Sequence, residues 1–231
     1  MNKQANPERK YIIAVDGPAA SGKGTVARKL AEALHFAYMD TGILYRAVAF
    51  EVIDTGLSIK DKRDCIDAAH TLVKKIKNSP NPGKIMGNPR LRDDDIGQAA
   101  SKVAAIPQVR EALNDLQKNF AKNPGAAVNG AILDGRDIGT VICPSADLKL
   151  FITAKIEIRA KRRLKDLQNQ GINVTYTTVL DDMRERDSRD AQRDSAPMTR
   201  AKDAIIIDNS DLNADETLEM ALKIAKERLN L

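Results

Sequence analysis

Residues 11–25 read YIIAVDGPAASGKGT, and this stretch decides the fold. Tyr11–Val15 is an apolar, β-branched run that reads as a buried parallel strand closed by Asp16-Gly17. Lys23–Leu34 has helical spacing, with Val26, Leu30 and Leu34 on one face and Lys29 and Glu32 among the polar positions. Between them Gly17-Pro18-Ala19-Ala20-Ser21-Gly22-Lys23-Gly24-Thr25 matches G-x-x-x-x-G-K in the strand–loop–helix setting that the motif requires. Glycines there permit close approach, successive N–H groups point inward at phosphate oxygens, and the helix N-terminus adds its dipole. Lys23 supplies positive charge over the β- and γ-phosphates of ATP. The Ser or Thr that normally follows the lysine and ligates Mg²⁺ is Gly24 here. Thr25 comes next, so the metal is expected to be held partly through water.

Outward from this unit, residues 40–55 and 60–77 read as helices, and 78–95 (NSPNPGKIMGNPRLRDDD) as a loop or small irregular insert. Helical pattern resumes near Ile96 and again from Pro107 to about Ala121. Ala127–Leu133, Asp147–Thr153 and Ala204–Ile207 read as further strands, with charged helices over 155–200 and a last amphipathic helix over Asp215–Leu229. Alternating apolar strands and amphipathic helices imply an α/β fold with a parallel sheet covered on both faces, and ligands beyond the carboxyl ends of its strands.

The chain has 231 residues, enough for one sizeable core, and its formal net charge of +5 suits either a nucleic-acid binder or an enzyme whose cleft neutralises phosphates. Aromatic residues make up 3% and Trp is absent, so stacking platforms for single-stranded nucleic acid are poorly supplied. Cys65, Cys143, His35 and His70 have no metal spacing, and the two cysteines read as buried thiols in a reducing cytosol. The first ten residues are polar, unlike a signal peptide, and no apolar run is long enough to span a bilayer. The expected compartment is the cytoplasm, with neither nucleic acid nor membrane as partner and a monomer as the assembly.

Three more segments carry chemistry: DTGILYR at 40–46, AILDGRDIGT at 131–140 and RDSRDAQR at 186–193. The G-K-G-T ending resembles nucleoside monophosphate kinases more than GTPases, and no N-K-x-D guanine-reading motif is visible. Together the segments resemble the bacterial cytidylate kinase family over nearly the whole chain. The resemblance implies a P-loop kinase fold: a central parallel five-stranded sheet flanked by helices, a small acceptor lobe and a helical lid. The single domain would divide into core 11–58, 125–154 and 203–231, acceptor lobe 59–124 and lid 155–200. It implies transfer of the γ-phosphate of ATP to CMP or dCMP. Thr41, Arg110, Asp137 and Arg193 would read the cytosine ring. Ser101, Arg186 and Asp190 would hold the sugar, and Arg46 and Arg136 the acceptor phosphate. Lys23, Arg136, Arg186 and Arg193 would surround the transferring group, since phosphoryl transfer needs positioning and positive charge more than a base. From position alone, Arg162 and Arg163 in the lid are the candidates for touching ATP. Asp134, at a strand end, would order water around Mg²⁺ beside Thr25. Many family members carry a longer insert after the third helix than the 78–95 stretch here. The alternatives are a kinase for UMP or another small acceptor, and an RNA-binding protein with a vestigial nucleotide site.

Overall fold

The computed structural model describes residues 9–231; most of the polar amino terminus read above thus lies outside the described residues. Five strands, β1 (Tyr11–Asp16), β2 (Ala37–Asp40), β3 (Gly130–Gly135), β4 (Leu148–Thr153) and β5 (Ile205–Asp208), form one all-parallel sheet in the order β2-β3-β1-β4-β5. The central position of β1 follows from its composition, because Ile13, Ala14 and Val15 are wholly buried and serve both faces. Ile13 and Val15 meet Val26, Leu30 and Leu34 of α1 (Lys23–Leu34) and Ala221, Ala225 and Leu229 of α9 (Ala214–Leu229). Ala14 faces the other way, onto Leu133, Ile138 and Ala121.

The register brings all the strand ends to one edge: Asp16 lies opposite Gly135 and Phe151, Asp40 opposite Asp134, and Thr153 opposite Asp208. Chain order reverses around β1, so the phosphate loop opens at the crevice where such sheets bind ligands.

The fifth strand was not located from the sequence. β2 has four half-buried residues at the sheet edge, too few to show a period, and the helix expected from residue 40 begins at Gly42 instead (α2, Gly42–Asp54). The segment 78–95 is less irregular than its composition suggests. It holds a short helix α4 (Pro82–Met86) and a 3₁₀ turn (Pro89–Arg92) in which Leu91 is buried.

Helices α2, α3 (Lys62–Asn78), α5 (Asp94–Val103) and α6 (Pro107–Lys122) share a second hydrophobic core. Helices α7 (Ile156–Asn169) and α8 (Tyr176–Ala191) form a hairpin closed by Ala160, Leu167, Val179 and Met183. Both cysteines are buried and unpaired. Among the described residues no helix is long and apolar enough to cross a membrane.

Candidate active site

The phosphate loop is fixed by contacts far away in the sequence. At Gly17 any Cβ would overlap the carbonyl oxygen of Ile152 on β4, so glycine is required by packing. Arg159, buried at the start of α7, donates to Ala19 O (3.1 Å) and Ala154 O (2.9 Å) and pairs with Asp187 of α8 at 2.7 Å. This holds the loop beside Ala20, whose φ of 55° is left-handed. Asn209, after β5, donates to Ser21 O at 2.8 Å.

Lys23 points into the cleft, with Nζ 3.7 Å from Asp134 Oδ1. Burial, seconded by the Arg136 guanidinium, lowers its pKa to about 8 against the pull of Asp134 and Asp40. The Tyr38 hydroxyl donates to Asp134 Oδ2 at 3.0 Å, and burial raises the Asp134 pKa above the carboxylate range. The departure at residue 24 now has a physical reason. A Cβ on Gly24 would stand 2.8 Å from Asp134 Oδ2, so the carboxylate takes the room a Ser side chain needs. Gly24→Ser is therefore expected to lower kcat/KM for ATP by about tenfold or more, despite restoring the usual hydroxyl, because the buried carboxylate must give up its partners. Steady-state kinetics checks this; a gain in activity would contradict it.

Thr41, Arg46, Ser101, Arg110, Arg136, Asp137, Arg186, Asp190 and Arg193 all line one cavity, and Tyr45 joins them. Asp137 and Arg110 form an ion pair with side chains 7% and 3% exposed, and Arg110 lies 5.3 Å from the centre of the Tyr45 ring. The Thr41 hydroxyl donates to Asp134 O at 2.8 Å. Asp190 accepts from Arg136 Nε at 3.2 Å and from the Ser101 hydroxyl at 3.5 Å. Burial pushes its pKa up, yet Arg136, Arg186 and Arg193 outweigh that and hold it below the usual carboxylate range. Arg186 Nε and Arg193 Nε and Nη2 are buried without a hydrogen-bond partner. Burial together with the neighbouring Arg136 lowers the Arg186 pKa to about 10. Unpartnered buried donors of this kind favour an anionic, acceptor-rich ligand.

This cavity opens into a common cleft of about 260 Å³, lined by Ala19, Ala20, Lys23 and Gly24 from the loop and by Arg46, Arg136 and Arg186. The lid candidates fare differently. Arg163 reaches this cleft but is paired with Asp94 of α5. Arg162 lines the neighbouring donor space with Thr25, while donating to Asn209 Oδ1 (2.9 Å) and Asn209 O (2.8 Å). Arg46 donates to Leu91 O (2.8 Å) and Asp93 O (3.2 Å), which ties α2 to the 3₁₀ turn before α5.

Sequence motifs give no role to Tyr38, Asp40, Tyr45 and Asn209, nor to Arg28 and Arg92, which line the space beside Thr25; Arg159, expected among the arginines over ATP, instead holds the phosphate loop through Ala19 O. None sits in a recognisable motif except Asp40 and Tyr45, whose places in DTGILYR were the available signal. Among the described residues no cluster of three or more His, Cys, Asp or Glu side chains is arranged to hold a metal ion.

A parallel sheet ending in a glycine-rich anion cradle, faced by converging arginines, defines a P-loop phosphotransferase. The cytidylate kinase family model matches residues 13–227, and the chain belongs to that family. It is 51% identical to a cytidylate kinase of Rhodospirillum rubrum, over 92% of this chain and 96% of that one. It is 52% identical to a cytidylate kinase of Paramagnetospirillum magneticum over the same shares. Both matches run nearly end to end in each chain. A solved structure of an uncharacterized protein from Eubacterium ventriosum shares the fold at TM-score 0.51 and 16% identity, over 93% of this chain and 98% of that one. The protein is thus an enzyme, a nucleoside monophosphate kinase with ATP as phosphate donor.

Proposed function

We propose that the acceptor is CMP or dCMP, held in the cavity of Thr41, Ser101, Arg110, Asp137, Arg186, Asp190 and Arg193. The observation that carries this reading is the buried Asp137–Arg110 pair on the cavity wall. Cytosine presents an exocyclic amine beside N3 and O2 acceptors. A carboxylate that accepts from the amine, next to Arg110 and Arg193 that donate to the ring acceptors, satisfies that pattern. Uracil would set its O4 carbonyl against the Asp137 carboxylate and leave buried polar groups unpaired. Ser101, Arg186 and Asp190 suit the sugar hydroxyls, and Arg46 and Arg136 the acceptor phosphate at the mouth of the common cleft.

The phosphate loop, Gly17 to Thr25, cradles ATP, and Arg162 and Arg163 close the donor side from the lid. Transfer is in line, between an acceptor phosphate oxygen that is already anionic and the γ-phosphorus, and it needs no strong general base. Lys23, Arg136 and Arg186, which line the common cleft, neutralise charge on the transferring group, and the lid hairpin excludes water; Arg193, expected there from the sequence, lines only the cavity of Arg110 and Asp137 and belongs with the ring. Mg²⁺ keeps much of its water shell in such sites, which suits a sparse ligand set of Thr25 and Asp134 acting through water. Thr25 and Asp134 would hold the ion through its water shell, and it would supply positive charge against the transferring phosphates. The enzyme acts as a cytoplasmic monomer without nucleic acid or membrane as partner.

Release of ADP, coupled to a reporter reaction, tests the reading with ATP and Mg²⁺ against CMP, dCMP, UMP, AMP and GMP. CMP and dCMP are expected to turn over in preference to the rest. Stronger turnover of UMP would refute the base assignment and leave the phosphotransferase class standing.

A further inference from the structure

Asp16, the last residue of β1, is 4% exposed and does not line the donor or acceptor cavity. Its two carboxylate oxygens are nevertheless fully committed. Oδ1 accepts the backbone N–H of Ile138 at 2.8 Å, and Oδ2 accepts that of Gly139 at 2.8 Å. These are the two peptides directly after Asp137, where a single π-helical turn begins (Ile138–Ile142). A carboxylate that accepts two backbone donors in a buried setting makes strong, geometrically exacting bonds. The residue after Asp16 is Gly17, which opens the phosphate loop.

We propose that Asp16 is a positioning residue for acceptor recognition: it locks the peptides that follow Asp137 and so sets where the Asp137 carboxylate stands relative to the phosphate loop. Arg110 holds Asp137 through its side chain, and Asp16 holds it through the main chain. The ring-reading group is thereby referenced to the same strand end that carries the phosphate cradle, which keeps acceptor and donor in one frame. Small misplacement of such a group weakens transition-state alignment as well as binding. The inference rests on the reading of Asp137 as a cytosine contact.

Asp16→Asn keeps the shape but gives one of the two N–H groups an amide donor to face, which leaves that donor unsatisfied. The expected result is a rise of about tenfold in KM for CMP and a fall of about tenfold in the CMP-over-UMP ratio of kcat/KM. KM for ATP should stay within about twofold, since uniform damage to the loop is not the mechanism. Gly139→Ala is the second variant. Its methyl would lie 3.3 Å from Asp16 Oδ2 and 3.1 Å from Lys149 Cδ, so it strains the same contact with the carboxylate intact. A smaller loss of CMP-over-UMP discrimination is expected, and it decides the matter if Asp16→Asn does not fold. Unchanged discrimination in the folded Asp16→Asn protein overturns the proposal, as does an equal rise in both KM values. Asp137→Asn run alongside separates the two levels of inference. If it loses discrimination while Asp16→Asn keeps it, only the positioning role fails; if neither loses it, the cytosine reading fails with it.

Discussion

Lys23→Met is expected to lower kcat by about 10²–10³-fold, the usual effect of removing one preorganised positive group from a developing phosphoryl charge. Lys23 is suited to this because it is buried at the centre of the common cleft, against both the loop and Asp134. Methionine keeps the stem and its packing, so the loss is one of charge. The variant also leaves Asp134 without its nearest cation. The same group predicts a pH effect. The Lys23 pKa is lowered from 10.5 to about 8, first by burial and next by Arg136. As pH rises through 8 the ligand-free enzyme loses this charge, and KM for ATP should climb. Bound phosphates pull the pKa back up, so kcat at saturating ATP should persist to higher pH. Stability moves the other way. Between pH 8 and 10.5 the unfolded lysine holds a proton that the folded one has lost, so folding is favoured as pH rises across that window. Opposite slopes for ATP affinity and for thermal stability would distinguish Lys23 from an ordinary surface lysine; parallel slopes would contradict the assignment.

Asp137→Ala is expected to cost about 3–5 kcal/mol of folding stability, because Arg110 is left buried without its counter-charge. Activity with CMP should fall by about 10²-fold in kcat/KM, and activity with UMP by less, so base preference collapses. The double variant Asp137→Ala with Arg110→Met separates the two effects. Replacing a buried ion pair by apolar groups is often close to neutral, so stability should largely return while cytosine preference does not. Denaturant unfolding and steady-state kinetics on the same preparations check both. Recovery of cytosine preference in the double variant would show that this pair does not read the base.

The phosphate loop and its flanking elements were legible because their determinants are local. An apolar run ending at Asp16, glycines at fixed offsets and a 3.6-residue apolar stripe over 23–34 need no distant partner to be recognised. The observed α1 has those same bounds. DGRD at 134–137 stood out as a charged turn leaving an apolar strand, and β3 does end there. The edge strand β2 was not legible, since four half-buried residues carry neither an alternating pattern nor a continuous apolar run. Ser101 and Arg110 sit on α5 and α6 with no local mark, and entered only through family resemblance. The pairing of Arg163 with Asp94 crosses from α7 to α5, which no spacing rule anticipates.

By itself, then, the amino-acid sequence determined that this protein is a P-loop phosphotransferase, because a phosphate cradle is made by consecutive main-chain groups whose conformation local residue types set. Tertiary structure alone decided what surrounds that cradle. Placing β3 and β4 on either side of β1 sets Asp134 against Gly24, Asp16 against Ile138 and Gly139, and the Ile152 carbonyl against Gly17. Groups more than a hundred residues apart become neighbours there through burial and strand pairing, and those forces act on the whole sheet rather than on any one segment.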